Sequence, residues 1–302
     1  MKIARVFPRK TNMSPDDPLA FFGAPTIEAM AMDIDRVDIS VTFSWDLQKA
    51  EELYELWQIL GVPVDVGGPA FDDRMGDFTP GLYLKKGAVF TSRGCTKDCW
   101  FCSVPKCSKG VIRELPVQDG YNIMDDNILG TSRSHFGEVI EMLKRQPQRP
   151  IFSGGLEPTF MTPWHAELLR SVNPLRMYTA YDTKDDYDAI VEMASIMWRA
   201  GFNPNNQQIK CYCLCGYPED TFDAAEQRMK QIMDVGFLPF AMLYRDDEGC
   251  VDDAWKRFQR GWANSYIVGK KFSDYRRNSN ETREEAYQRT AKADGKVEGE
   301  YI

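Results

Sequence analysis

The chain has 302 residues, 43% of them hydrophobic, enough apolar material for one full core and a second small one. Its net charge of -8 and pI near 5.0 exclude a protein that coats nucleic acid by bulk positive charge, leaving only local basic patches for such contact. It lacks both a run of roughly eighteen apolar residues and a charged-then-apolar leader pattern, so a soluble, cytoplasmic protein without membrane association is expected.

In chain order, residues 2–8 read as a short strand and residues 36–43 as a second, with alternating apolar positions. Between Ser44 and Gly61 the residues Ala50, Leu53, Leu56, Trp57 and Leu60 fall at helical spacing, with Ser44 as the cap and Gly61 as the stop. Residues 62–69 give a third strand running into the turn Gly67-Gly68-Pro69. Strand, helix, strand predicts a small parallel, Rossmann-like α/β subdomain over residues 1–80, followed by a linker turning at Thr79-Pro80-Gly81.

After the apolar run Gly87-Ala88-Val89-Phe90 comes Cys95-Thr96-Lys97-Asp98-Cys99-Trp100-Phe101-Cys102, a C-x3-C-x2-C loop. Three soft sulfur ligands so close together can converge on one metal centre. Protein-held iron–sulfur clusters normally take four cysteines, so three would leave one iron open for chemistry. The rival is a structural zinc site completed by Cys107, although such sites more often pair two C-x2-C hairpins. The clustering of the eight cysteines fits reduced thiols better than a disulfide framework.

The loop, with aromatic Phe101 just before its third cysteine, resembles the signature of the radical S-adenosylmethionine (radical SAM) superfamily. The resemblance implies a 4Fe–4S cluster on Cys95, Cys99 and Cys102 whose open iron chelates the methionine part of S-adenosylmethionine (SAM). It further implies reductive cleavage of SAM to a 5′-deoxyadenosyl radical that abstracts hydrogen, with Phe101 beside the cofactor. The Gly67-Gly68-Pro69 turn looks like the end of the cobalamin-binding domain that precedes many members. The lower-ligand histidine of that domain has no counterpart, since His135 and His165 lie far downstream, so no cobalamin is expected. Packing or partner binding is the expected role of this subdomain.

Beyond the loop the chain alternates. Strands are predicted at residues 121–128, 150–153, 175–180, 208–215 and 237–243, with helices at 135–145, 163–171, 187–200 and 221–235 between them. With the strand before Cys95 this makes six units, a partial (β/α)6 TIM-like barrel over residues 85–250. In such barrels chemistry sits at the C-terminal strand ends, and every end here is polar.

Two strand ends resemble superfamily motifs for the SAM methionine amino group. Asp125-Asp126-Asn127 is similar to the aspartate pair of the cobalamin-type and methylthiotransferase-like branches and is preferred by position. Gly154, Gly155 and Glu157, with Leu156 interposed, look like the Gly-Gly-Glu motif and stand second. Gly216-Tyr217-Pro218-Glu219-Asp220-Thr221 resembles a turn that lies beside adenine in those branches, which places Gly216 and Pro218 among the cofactor residues. Asp182 is the ribose candidate, because a carboxylate can accept from both hydroxyls of a diol. Against these stands simple helix capping by Asp182, Asp220 or Thr221.

Tyr181, Tyr244 and Arg245, at two of the strand ends, are the candidate catalytic residues; an arginine there can pair with a substrate carboxylate or phosphate. Cys211, Cys213 and Cys215 alternate along one strand and share a face, where packing is the favoured reading over a second cluster. His135 and His165 are expected to be surface or capping residues. A helical cap is predicted over residues 251–272, and a charged, disordered tail over 273–302.

The expected function is therefore a radical SAM enzyme acting on a small-molecule or nucleotide-derived substrate, through isomerisation or another rearrangement. Methyl or methylthio transfer is the enzymatic alternative, and a non-catalytic metal- or partner-binding barrel the other. Flavodoxin or ferredoxin is the type of electron donor implied. Nucleic acid is a weakly supported partner, suggested only by basic residues interleaved with aromatics in the cap.

Overall fold

The computed structural model describes residues 1–71, 75, 77–246 and 249–278. The expected disordered tail therefore lies outside the described residues from 279 onward. The chain divides into two compact units, Met1–Asp126 with Asp247–Gly249, and Asn127–Asp246 with Cys250–Ile302.

The first unit opens with β1 (Ile3–Phe7), β2 (Ala20–Phe22), α1 (Ile27–Ala31), β3 (Arg36–Ser40), α2 (Leu47–Trp57) and β4 (Val64–Gly67). These strands form a parallel sheet in the order β2-β1-β3-β4. Strand β2 and helix α1 were not legible in the sequence, because three strand residues and five helical ones show no period. Helix α2 buries Ala50, Leu53 and Trp57 in a core that includes Val6, Val37 and Ile39. The Trp57 indole is fully buried and its Nε1–H donates to the Gly23 carbonyl at 2.9 Å. Replacing it with alanine costs about 3–5 kcal/mol. Gly61 stops the helix as expected, in the left-handed conformation with φ 65°.

The same unit continues through β5 (Ala88–Val89), β6 (Ser92–Arg93), α3 (Val104–Ser108), β7 (Arg113–Glu114) and β8 (Asn122–Ile123). The sequence reading drew a boundary at residue 80, but the structure carries the unit on through the cysteine loop. Hydrogen bonds explain the difference. Arg5 Nη1 donates to the Leu82 carbonyl at 2.8 Å, Tyr83 Oη to Asp38 Oδ2 at 2.6 Å, and the Lys85 amide to the Met13 carbonyl at 2.9 Å.

The second unit contains α4 (Arg133–Lys144), β9 (Ile151–Phe152), α5 (Pro163–Ser171), β10 (Arg176–Ala180), α6 (Tyr187–Arg199), β11 (Ile209–Cys215), α7 (Phe222–Asp234) and β12 (Leu238–Leu243). The largest sheet of the fold has six strands in the order β12-β11-β10-β9-β8-β5, with parallel registers. Spatial order follows chain order, as in a barrel, and β5 and β12 end the row, which gives the partial barrel expected. Helix α6 buries Ile190, Met193, Ala194 and Met197, the three-and-four spacing of a helix laid on a sheet. The predicted single cap is two helices, α8 (Asp253–Ala263) and α9 (Ser265–Asn278). Asn264 separates them, its Oδ1 accepting the amides of Tyr266 and Ile267, and helix rather than disorder occupies 273–278.

Both histidines depart from the expected surface role. His135 is 6% and His165 8% exposed, and His165 packs edge-on to Phe136 while its Nδ1 meets Thr162 Oγ1 at 2.9 Å. Burial pushes the His165 imidazole pKa down.

Candidate functional site

In the first unit, the approach to the cysteine loop is built by carboxylates. Asp125 is 1% exposed; its Oδ1 accepts the Thr91 amide, and its Oδ2 the Thr91 and Ser92 hydroxyls, each at 2.6 Å. The predicted strand 121–128 therefore shrinks to two residues: after the Met124 amide meets the Val89 carbonyl, the Asp125 side chain replaces the ladder. Asp126 Oδ2 takes the Gly94 amide at 2.7 Å.

Gly94 stands immediately before Cys95 and can be nothing else. Its φ is +95°, and a Cβ there would lie 2.1 Å from the Val111 carbonyl oxygen. Ser108, in α3, donates its hydroxyl to the Cys95 carbonyl at 3.3 Å and so pins the other side of the loop. Within the loop the Lys97 amide points at Cys95 Sγ at 3.4 Å, and the Cys102 amide donates to the Cys99 carbonyl at 2.9 Å.

Cys95, Cys99 and Cys102 are each half-buried and outside any disulfide. Phe101 is half-buried and meets Trp100 edge-on at 5.3 Å, with Trp100 56% exposed. Cys107, in α3, donates its thiol to the Ser103 carbonyl one helical turn back at 3.6 Å. Among the described residues no three His, Cys, Asp or Glu side chains stand gathered as a metal site. The fit to a cluster rests instead on the donor set: three soft thiols in one loop, one already receiving an N–H, as cluster sulfurs do.

The second unit repeats the device seen at Asp125. Asp182 Oδ1 takes the Leu214 amide at 2.9 Å, extending the β10–β11 pairing by a side chain. It does not cap the next turn; Thr183 and Asp186 form that capping box. Burial pushes the Asp182 carboxyl up to about 7, the Leu214 N–H opposes the rise, and Asp186 and Glu157 add to it.

The turn after β11 is braced from beneath. Asp220, whose side chain is fully buried, accepts the Gly216 amide at 2.9 Å and two contacts from Arg228 Nη2 at 3.1 and 3.0 Å. Arg228 Nη2 also donates to the Leu214 carbonyl at 2.9 Å. Gly216 (φ +76°) has no room for a Cβ, which would lie 2.8 Å from the Trp255 ring, while Pro218 is exposed. Thr221 caps α7, accepting the Ala224 amide at 3.2 Å. Arg228 was missed from sequence because it lies seven residues into a helix that reads as plainly amphipathic.

The Gly154-Gly155 stretch bulges out after β9, and Leu156 returns to the sheet through its amide, 3.0 Å from the Tyr178 carbonyl. Glu157 is half-buried and Oε1 accepts from Thr159, at 3.3 Å from the amide and 2.8 Å from the hydroxyl. Asn127 is 1% exposed. Of the catalytic candidates, Tyr181 is 1% exposed, and its hydroxyl donates to Gln231 Oε1 at 2.9 Å. Tyr244 is half-buried with its amide on the Cys215 carbonyl at 2.9 Å, and Arg245 is exposed. Cys211, Cys213 and Cys215 are each 0% exposed, and burial pushes the Cys213 and Cys215 thiols up to about 12, so they are packed and protonated.

No family model and no curated protein matches this sequence. Solved structures do. The chain is similar to TsrM from Kitasatospora setae, a radical S-adenosylmethionine methyltransferase solved with cobalamin and a 4Fe–4S cluster bound, at TM-score 0.57 and 12% identity, covering 82% of this chain and 77% of that one. A second TsrM structure, holding tryptophan substrate and the SAM analogue aza-SAM, gives TM-score 0.55 and 11% identity over 80% and 72%. The chain shares the fold of these proteins. No helix among the described residues is long and apolar enough to cross a membrane.

Proposed function

We propose that the chain is a radical SAM enzyme in which Cys95, Cys99 and Cys102 hold a 4Fe–4S cluster, leaving one iron for SAM. The observation that carries this reading is the three-thiol loop that follows β5 and β6 in this fold, with Gly94 and two aspartates fixing its approach. When bound, the cluster supplies the electron that cleaves the SAM sulfonium and so provides a 5′-deoxyadenosyl radical for hydrogen abstraction. An electron donor of the flavodoxin or ferredoxin type is the partner this requires.

The chain's own groups set the rest. Asp126 orients the peptide before Cys95 through the Gly94 amide. The preference for Asp125 as acceptor for the methionine ammonium is withdrawn, since both its oxygens are committed to Thr91 and Ser92. Gly154, Gly155 and Glu157 become the favoured group, because a carboxylate accepts from an ammonium and the glycines permit close backbone approach. Asp182 is assigned to the ribose diol, Gly216 and Pro218 to adenine, and Tyr244 and Arg245 to the substrate.

A rearrangement without cobalamin is the primary reaction. Radical methyl transfer is the second reading, favoured by the likeness to TsrM. The test is anaerobic reconstitution with dithionite, SAM and deuterated candidate substrates. Deuterium in 5′-deoxyadenosine supports hydrogen abstraction, and cobalt with methylated product supports the second reading.

A further inference from the structure

Strands β10, β11 and β12 pair in parallel, so residues in register share a face: Tyr178 with Lys210, and Tyr212 with Phe240. The rings meet accordingly. Tyr178 is stacked on Tyr212 at 5.0 Å and 17°, and Tyr212 meets Phe240 edge-on at 5.6 Å. The opposite face, where Met177, Cys211 and Cys213 are fully buried, lies under helix, Thr179 Oγ1 reaching Met193 of α6 at 3.4 Å. On the first face all three rings are only half-buried. Ala180, the register partner of Tyr212, offers a methyl group alone, so aromatic surface beside it stays uncovered. All these residues belong to the second unit.

Charge is graded along this face. At its lower end Lys210 is 4% exposed; its ammonium donates to a neutral group, Ser265 Oγ at 2.9 Å, and stands 5.9 Å from the Tyr178 ring centre and 5.6 Å from that of Phe240. Arg176, two residues before Tyr178, is exposed. Burial, and then the charge of Arg176, push the Lys210 pKa down. Among the described residues no carboxylate is in contact with either cation. At the upper end stand carboxylates: Asp182, whose Oδ1 takes the Leu214 amide, with Glu157 and Asp186 close enough to raise its pKa. A buried ammonium held by one hydroxyl and two ring faces costs stability that a methionine in its place would not. The hydroxyls of Tyr178 and Tyr212, moreover, make no hydrogen bond to another described residue.

We propose that this face binds the substrate, and that the substrate is an aromatic carboxylate with no ammonium beside its carboxylate. Its ring lies against Tyr178, Tyr212 and Phe240, and its carboxylate faces the end that holds Lys210 and Arg176. The phenol hydroxyls are the direct donors, and Lys210 supplies positive charge behind them. The carboxylates at the upper end fix the direction, because they repel an anion placed there. An α-amino acid would bring its own ammonium up to Lys210, and a phosphate dianion a second negative charge that one buried ammonium leaves unbalanced. That this ligand is the substrate rests on the radical SAM reading; that it binds here does not.

The test is isothermal titration of the full chain, both reconstituted and as Cys99→Ala, with matched ligands. These are 3-phenylpropionate and indole-3-propionate, their amides, phenylalanine and tryptophan, 3-cyclohexylpropionate, and 5′-AMP. At least one of the two aryl acids is expected to bind both proteins with Kd below ~1 mM, at least tenfold tighter than its amide, its amino acid and the cyclohexyl acid. Lys210→Met should abolish the preference for acid over amide, and Tyr212→Phe should weaken the acid several-fold. The proposal is overturned if neither aryl acid binds, if the amide or amino acid matches its acid, if 5′-AMP binds more tightly than both acids, or if Lys210→Met with a parental circular dichroism spectrum keeps the preference. The comparison of acid with amide on the unaltered chain decides the matter even where Lys210→Met fails to fold. Cleavage of SAM without aryl-acid binding overturns this proposal and leaves the radical SAM reading intact. Aryl-acid binding without SAM cleavage upholds the site and removes only its assignment to a substrate.

Discussion

Asp125 grips Thr91 at two points: one carboxylate oxygen takes the threonine amide and the other its hydroxyl, each at 2.6 Å inside a fully buried contact. Thr91 lies four residues before Cys95, so the carboxylate sets the path of the chain into the cysteine loop. An aspartate that merely faced a cofactor would have oxygens to spare.

Asp125→Ala is accordingly a folding variant. It leaves three buried donors without acceptors and is expected to cost about 3 kcal/mol, read from guanidinium denaturation, together with lost iron loading. Asp126→Ala, which releases only the Gly94 amide, is expected to cost about 1 kcal/mol and to spare most of the fold. Equal stability of Asp125→Ala and parent would return Asp125 to the list of cofactor ligands.

Gly94→Ala tests the loop's approach alone. The added methyl group meets a backbone oxygen at a left-handed φ, so about 2 kcal/mol of strain is expected, with Cys95 displaced. Iron and sulfide per chain should fall below half of the parent value while the far-ultraviolet circular dichroism spectrum is unchanged.

Much of this architecture was legible beforehand, and the reason for each miss is local. The alternation of strands and amphipathic helices from residue 121 onward announces the barrel, because 3.6-residue and two-residue periods survive in long elements. Strands of two or three residues, such as β2 and β6, carry no period at all. The cysteines stood out by spacing, whereas Asp125, Asp182 and Asp220 were recognised as polar strand ends but not as side chains that continue a ladder or brace a turn. Sequence shows a carboxylate's position, not which N–H it has already taken. The Tyr181 hydroxyl likewise has a partner, Gln231, that the sequence does not show.

Arg228 and Asp220 form a buried pair under the Gly216 turn. Arg228→Met strands a carboxylate whose side chain is fully buried and is expected to cost about 3–5 kcal/mol. Asp220→Asn in the same chain should recover a large part of that loss, since no charge then remains uncompensated. A double-mutant cycle in urea checks the coupling.

Asp182 makes stability depend on pH. Burial raises its folded pKa to about 7, against about 3.9 for an unfolded aspartate. Between these values the folded chain holds a proton that the unfolded chain has released, so this contribution to stability is full below pH ~4 and is lost as pH rises through ~7. Asp182→Asn keeps the oxygen that accepts the Leu214 amide but removes the titration. The variant should be more stable than the parent at pH 8, with the difference vanishing near pH 4.

The most direct measurement is made on anaerobically reconstituted full-length protein: iron and zinc content, followed by 5′-deoxyadenosine formed from SAM on adding dithionite. The account predicts iron and sulfide in the ratio of a 4Fe–4S cluster, 5′-deoxyadenosine production, and loss of both in Cys99→Ala. Protein that takes up zinc in place of iron, or that yields no 5′-deoxyadenosine with its cluster in place, would contradict it.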